Sequence, residues 1–468
     1  MPAVFRDALR FLGALSTLVL AACGGGGSPS ASAPLPTPTP AAARPNIVFL
    51  LTDDLDVPSA ERMPRLQQFA QGGLSFTRFY VAEPLCAPSR ASILTGQYAH
   101  NHGVLGNQAS SGGFRAFRAS EASTIATWLK GAGYRTSLVG KYINDYASGA
   151  DAGYIPPGWD DWHAHVSAFE DGRYYNYWVN DNGDVVRHGS SEEDYSADVE
   201  TQRAVSFINA AAGKPEPIFL YLAPEAPHVP STYASRHGGE FRYELAPRVP
   251  SFNASDAPGV PPLTPALIDW LDERQRWRLR SLASVEDMLD AVEEALARTG
   301  RLEKTYVFFT SDNGILMGQH RGLEVKANFY EETIRVPLYV RGPGVPVGTT
   351  EALAVNVDLA LTFAELAGLP VRDDLDGRSL ASFLRGTRPA SWRTDVYVEH
   401  YALPNDQTYA LRSPQWFYGE TERVSVYDML ADPYQLKNLQ RQTSPDDLAA
   451  FRTRIQAYAA CRGATCRP

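Results

Sequence analysis

Two uninterrupted apolar runs, each of strand length and each ending in oxygen-bearing side chains, constrain this chain most. Asn46-Ile47-Val48-Phe49-Leu50-Leu51-Thr52 leads into Asp53 and Asp54. Thr305-Tyr306-Val307-Phe308-Phe309-Thr310 leads into Ser311, Asp312, Asn313 and Gly314. A strand without polar alternation suits a sheet covered on both faces, which means a largely parallel sheet between helices. The carboxyl ends of such strands line one crevice. If both strands lie in one sheet, Asp53, Asp54, Asp312 and Asn313 converge there. Adjacent carboxylates repel each other unless a cation sits between them. Four hard oxygen ligands favour calcium or magnesium over zinc.

Two further strand ends add to the crevice. Tyr134 to Val139 leads to Gly140 and Lys141, and Pro217 to Leu222 leads through a Pro-rich loop to His228. A lysine after a strand is usually a solvated charge, and a histidine among prolines is usually structural. Their placement at carboxyl ends marks both as candidates. Lys326, with His320 in the same loop, follows the Asp312 strand and can reach back.

The stretch Pro84-Leu85-Cys86-Ala87-Pro88-Ser89-Arg90-Ala91-Ser92-Ile93-Leu94-Thr95-Gly96 reads as a short helix. Pro88 suits its first turn and Gly96 its end. Cys86 is then expected just before the helix start, where unpaired N–H groups favour an anion, with Arg90 one turn in. Taken alone, the pattern fits either a nucleophile beside an anion pocket or a small buried cysteine before an ordinary helix.

Cys-x-Pro-Ser-Arg followed by Ala-Ser-Ile-Leu-Thr-Gly resembles the sulfatase motif. Pro45 to Asp54, Gly140-Lys141, Ala226-Pro227-His228, Thr310 to Gly314 and Val336-Pro337-Leu338 occur where that family would place them. The C-terminal part is similar more loosely, at Val426 to Met429 and Asp432 to Tyr434. The resemblance implies an α/β fold: an alkaline-phosphatase-like sandwich with a large, mostly parallel central sheet and a smaller C-terminal antiparallel sheet. It implies hydrolysis of sulfate monoesters, with Cys86 oxidised to Cα-formylglycine by a formylglycine-generating enzyme. Asp53, Asp54, Asp312, Asn313 and the modified Cys86 would hold calcium rather than magnesium, and Cys86, Arg90, Lys141, His228 and Lys326 would be catalytic. Within the family the likeness is to N-acetylglucosamine-6-sulfatases and heparan sulfate endosulfatases. His100 to Val104, Gly140 to Tyr146, Pro157-Gly158-Trp159 and Tyr174 to Tyr177 carry it. It suggests a 6-O-sulfated N-acetylglucosamine substrate, with Asn144, His102 and Trp159 touching it. Trp162, His163 and the Tyr174–Trp178 segment are expected beside the mouth. Many sulfatases have a histidine where Ile143 stands, which shifts weight to His228.

Around this lie other parts. Arg6, Arg10 and the apolar Phe11 to Leu20 read as a targeting segment over residues 1–23. Leu20-Ala21-Ala22-Cys23 resembles a bacterial lipobox, with lipid on Cys23; a plain signal peptide or short anchor helix is the alternative. The expectation is an exported bacterial lipoprotein, held to a membrane through that lipid alone. Residues 24–44 form a Gly/Pro/Ser/Thr tether. Residues 45–345 form the catalytic domain and 346–468 a C-terminal subdomain. Asp272 to Thr299 reads as one long helix and Val357 to Ala367 as another. Strands are expected at 395–399, 409–412, 416–418 and 424–427, and a hairpin turn at Asn182-Gly183. Cys461 and Cys466 form a candidate disulfide. The net charge of −10 argues against a nucleic-acid partner. Two other functions compete: a phosphoester or phosphonate-ester hydrolase of the same superfamily, and a lipoprotein that binds sulfated glycans without turnover.

Overall fold

Asn46–Thr52 (β1) is buried along its whole length, and it divides its side chains between two cores. Ile47, Phe49 and Leu51 enter one, Val48 and Leu50 the other. Burying each Leu or Phe contributes roughly 1.5–3 kcal/mol, so both faces of this strand must be covered. A computed structural model of the chain describes residues 44–147, 151–166, 172–255, 259–403, 406–421 and 423–467. The expected leader over 1–23, Cys23, and the tether up to residue 43 lie outside the described residues.

The main sheet has ten strands. In chain order they are Asn46–Thr52 (β1), Leu74–Phe76 (β2), Arg135–Gly140 (β3), Asp161–His165 (β4), Trp178–Asp181 (β5), Asp184–Arg187 (β6), Ile218–Ala223 (β7), Thr305–Ser311 (β8), Leu338–Arg341 (β9) and Gly348–Thr350 (β10). Their spatial order is β10-β2-β9-β8-β1-β7-β3-β4-β5-β6. The five central strands, β8-β1-β7-β3-β4, run parallel. The antiparallel pairs lie outside them, at β9 with β8 and β2, and at β4-β5-β6. The β5–β6 hairpin turns at Asn182-Gly183 as expected, with positive φ at both positions.

Helices cover both faces. Cys86–Thr95 (α1) and Asp358–Leu366 (α4) pack on the Phe49 side. Ser196–Ala210 (α2) and Pro265–Arg298 (α3) pack on the Val48 side. The long helix α3 starts seven residues before the expected Asp272. Thr264 caps it by accepting from the Leu267 N–H, and Pro265 opens its first turn. That cap and proline signal is present in the sequence. No described helix is long and apolar enough to cross a membrane.

Beyond residue 345 the chain first completes the main sheet with β10. It then builds an antiparallel meander from Val396–Leu403 (β11), Asp406–Arg412 (β12), Trp416–Glu420 (β13) and Val424–Asp428 (β14). Pro445–Ala459 (α5) packs against it, and a Cys461–Cys466 disulfide follows.

Candidate active site

Register brings the site together. β1 and β8 pair from Asn46↔Thr305 to Thr52↔Ser311, so Asp53 and Asp312 leave neighbouring strands at one level. The Asp312 N–H donates to Thr52 O at 3.1 Å. On the other flank β3 and β7 pair to Gly140↔Ala223, and the Lys141 N–H donates to Ala223 O at 2.8 Å. Gly140 has φ +101°, and a Cβ there would come within 2.3 Å of Ala223 O. Only glycine lets the strand turn Lys141 inwards.

Cys86 is the first residue of α1 rather than the residue before it; Leu85 is the N-cap. The first four N–H groups of a helix need no intrahelical partner, so Pro88 is tolerated one turn in. Cys86 Sγ lies 2.9 Å from Lys326 Nζ and 3.5 Å from Asp53 Oδ1. Arg90, fully buried, donates from Nε to Asp312 Oδ2 at 2.8 Å and from Nη1 to Lys141 O at 2.9 Å. Its Nη2 is 3.6 Å from Asp53 Oδ2, which also accepts from Lys141 Nζ.

Asp54 is left-handed, with φ 64°. Its N–H donates to Asp312 Oδ1 at 3.2 Å, and its Oδ1 accepts from Asn313 Nδ2 at 2.6 Å and Lys326 Nζ at 2.5 Å. His228 Nε2 is 3.7 Å from Asp54 Oδ2. Its Nδ1 is 2.7 Å from the Val229 carbonyl, an acceptor only, so Nδ1 carries the proton. In the neutral ring Nε2 therefore presents its lone pair to the cluster.

Three carboxylates, Asp53, Asp54 and Asp312, thus face three fixed cations. Burial opposes charge on Asp53, but Lys141, His228, Arg90 and Lys326 outweigh it and hold its carboxyl well below the usual range. Asp54 is lowered in the same way, with Lys326 and His228 outweighing burial. Asp312 is raised, first by burial and then by Asp53. Burial and the Asp53 charge push the Cys86 thiol up to about 12.

The donors form a group that could hold a metal ion. Asp53, Asp54, Cys86 and His228 each offer a ligand atom, all within 4.8 Å of one another. Asn313 Oδ1 is buried beside them without a hydrogen-bond partner, as expected of a group awaiting a cation. The motif alone assigns His228 to acid chemistry; the geometry also admits it as a ligand. Asp312 lies close but has one oxygen on Arg90 and the other on the Asp54 N–H.

Some expectations need correction. Trp159 is 6% exposed and its ring stacks on Phe219. It precedes β4, at the amino edge of the sheet, opposite the crevice, so it is not at the mouth. Trp162 is fully buried in the same core. His102 is buried beneath α1: the Val104 N–H donates to its Nδ1, and its Nε2 is 3.1 Å from Ser92 Oγ. Burial, then His100, lowers it to about 3, so it is a neutral prop for the helix, with no face left for substrate. Tyr174 is buried and its hydroxyl donates to His228 O at 2.5 Å. It holds the His228 loop. Asn144 follows Lys141 as expected, with its amide Oδ1 buried and unpartnered. His320 stacks its ring on Tyr330 at 3.6 Å, and its N–H donates to Ser251 O at 2.7 Å. Both contacts hold its own loop in place.

Other residues that shape the site are not evident in the sequence. Arg278 of α3, fully buried, donates from Nη2 to Asp54 O and Asp56 Oδ1, each at 2.8 Å, and so clamps the left-handed Asp54. Glu225 accepts from Arg173 at 2.7 Å beside Lys141. Asn356 donates to Ser89 Oγ at 2.9 Å, and that hydroxyl donates to Asp312 O. Of these, only Glu225, past a strand's carboxyl end, carries a local signal.

The family described as Sulfatase matches residues 45–369, and that described as N-sulphoglucosamine sulphohydrolase, C-terminal, matches residues 318–458. The chain is 34% identical to the N-acetylglucosamine-6-sulfatase of Homo sapiens, over 91% of this chain and 86% of that one. It is 26% identical to the N-acetylglucosamine-6-O-sulfatase of Bacteroides thetaiotaomicron, over 85% and 82%. Among solved structures, BT4656 in complex with its substrate D-glucosamine-2-N,6-O-disulfate superposes with a TM-score of 0.75 at 24% identity, over 88% of this chain and 97% of that one. The phosphonate monoester hydrolase of Silicibacter pomeroyi superposes with a TM-score of 0.70 at 22% identity, over 90% and 96%. At these identities the structural likeness speaks for the fold alone, which is alkaline-phosphatase-like.

Proposed function

The chain belongs to the sulfatase family, and on that premise we propose that it removes 6-O-sulfate from N-acetylglucosamine in sulfated glycans, using a formylglycine at Cys86 and a bound calcium. The observation that carries the reading is the convergence of Lys326, Arg90 and Lys141 on Cys86 and its carboxylates. A thiol pushed up to about 12 is protonated at neutral pH and a poor nucleophile, so an unmodified Cys86 does not suit the task. The formylglycine hydrate would supply a hydroxyl nucleophile, and calcium, held by Asp53, Asp54, Asn313 and the neighbouring Asp312, would supply charge stabilisation.

This chain's own residues do the rest. Arg90 orients Asp312 and, through Nη2, faces the Asp53 carboxylate beside the nucleophile. Lys141 and Lys326 present preorganised positive charge where a sulfate oxygen would rest. Lys326 Nζ touches Sγ itself, so it lies closest to the reacting atom. His228 holds its Nδ1 proton on Val229 O and turns Nε2 to the site, where a protonated ring can deliver a proton to the departing sugar oxygen.

A phosphonate-ester hydrolase remains the rival, since one shares the fold. The N-acetylglucosamine-6-sulfatase relatives favour sulfate. The deciding experiment is kinetics on matured protein with N-acetylglucosamine 6-sulfate, its 3-O-sulfated isomer, 4-nitrophenyl sulfate and a phenyl phosphonate ester. Preference for the 6-sulfate upholds the reading. Faster turnover of the phosphonate ester overturns it.

A further inference from the structure

Lys326 reaches the nucleophile from a segment with little to hold it in place. It follows the short antiparallel hairpin of Leu316–Met317 and Leu323–Val325. His320, Arg321, Glu324 and Ala327 are all left-handed, with φ of 50°, 63°, 52° and 62°, a conformation that residues with a side chain adopt at a cost. Leu323 and Val325 are exposed and bring the hairpin little burial. Polar ties take over that task. At one end the His320 N–H donates to Ser251 O, and at the other the Ala327 N–H donates to Pro84 O at 3.1 Å. Between them, Arg274 of α3 donates from Nε to Glu324 Oε1 at 3.0 Å.

The same guanidinium donates from Nη1 to Pro230 O at 2.8 Å, two residues past His228. Trp270 and Trp277, each about one turn away on α3, flank it with ring centroids at 5.9 and 5.6 Å, which limits its motion. Tyr233, further along the His228 loop, packs edge-on against Trp277. Thus α3 joins the two loops from outside the crevice. Inside it they meet on one carboxylate: Lys326 Nζ is 2.5 Å from Asp54 Oδ1, and His228 Nε2 is 3.7 Å from Asp54 Oδ2. We propose that Arg274 is a positioning residue for proton transfer to the leaving group: by holding Pro230 and Glu324 together it fixes the spacing of His228 and Lys326. The proposal rests on the sulfatase reading above and deepens it.

The step it serves is cleavage of the ester. The S–O bond breaks, its electron pair stays on the departing oxygen, and that oxygen takes a proton from the protonated His228 ring. A 4-nitrophenolate is stable as an anion in water and gains little from that proton. A phenolate gains more, and a sugar alkoxide most. Loss of a residue that only supports the fold slows all three reactions alike. Loss of one that positions the donor slows them in that order.

The test is kinetics on matured wild type, Arg274→Gln and Arg274→Lys, with melting curves for each. The substrates are 4-nitrophenyl sulfate, phenyl sulfate and N-acetylglucosamine 6-sulfate. Arg274→Gln should lose about tenfold more in kcat on phenyl sulfate than on 4-nitrophenyl sulfate, and more again on the sugar. Arg274→Lys keeps a charge for Glu324 but lacks the fork that also reaches Pro230 O, so it should fall between. Equal losses on the two aryl esters, in a variant that still melts cooperatively, would overturn the proposal. If Arg274→Gln fails to melt cooperatively, Arg274→Lys carries the same comparison with the same two outcomes. If matured wild type turns over none of the three, the sulfatase reading fails instead. Hydrogen exchange then judges the bridge: faster exchange in Arg274→Gln at both 228–233 and 318–327 upholds it, and unchanged exchange at either segment refutes it.

Discussion

Arg90 donates from Nε to Asp312 Oδ2 across 2.8 Å, and both side chains are fully shut off from solvent. The pair ties the nucleophile helix to the end of β8. Removing one partner leaves the other charged and buried, which costs about 3–5 kcal/mol. Arg90→Ala should therefore lower stability by that order and abolish turnover. Arg90→Lys should recover part of the stability but little of the activity, because a point charge cannot reach Asp312 and the Lys141 carbonyl together. Urea denaturation and kinetics on both variants check this; an Arg90→Ala protein as stable as wild type contradicts it.

Metal removal should act on stability and rate together. With calcium at a hundred times its dissociation constant, binding to the native state alone adds about 2.7 kcal/mol. Chelation should lower the melting temperature, and calcium should restore it. Asn313→Ala, which deletes the unpartnered buried oxygen, should weaken calcium binding in calorimetry. Identical melting curves with and without chelator, on protein verified metal-free, would count against the site.

Cys86→Ala should retain the fold. It deletes one small buried atom, at a cost on the order of 1 kcal/mol, and should remove turnover entirely. In protein matured by a formylglycine-generating enzyme, the mass of the Cys86 peptide should show loss of sulfur. Full activity in the alanine variant would sink the mechanism.

Glu225 sets a pH dependence. Burial would raise its carboxyl, but Arg173 and Lys141 outweigh burial and bring it to about 2. The folded value lies below the unfolded value, so the unfolded chain binds more protons between them. The contribution is complete above about pH 4.5 and fades as pH falls towards 2; its full size is roughly 3 kcal/mol. Glu225→Gln should accordingly destabilise the protein near neutrality and converge on wild type in acid. A gap that stays constant from pH 7 to pH 3 would exclude this origin.

The lipobox reading of Leu20 to Cys23 predicts that wild type produced in a bacterium fractionates with membranes and carries lipid on Cys23. Cys23→Ala should move the protein to the soluble or differently processed pool. Unaltered membrane partition in that variant would point to an anchor helix instead.

Local chemistry made much of this protein legible in sequence. A continuous apolar run of this length suits a doubly covered strand, so the parallel sheet and the carboxylates at its edge follow from Asn46–Thr52 and Thr305–Ser311 alone. The Cys86 motif, Gly140 before Lys141, and the Asn182-Gly183 turn are likewise written in neighbouring residues. What no window of sequence contains is distance. Trp159 and Trp162 carry aromatic rings suited to a sugar, yet parallel pairing of β3 and β4 puts Trp159 at the sheet's far edge and Trp162 in its core. His102 belongs to a motif, yet it is spent supporting α1. Arg278 lies on a helix 224 residues from Asp54 in sequence and still holds its carbonyl. Such contacts depend on how strands and helices register across the whole fold, because a side chain's role is set by what burial and pairing leave it free to touch.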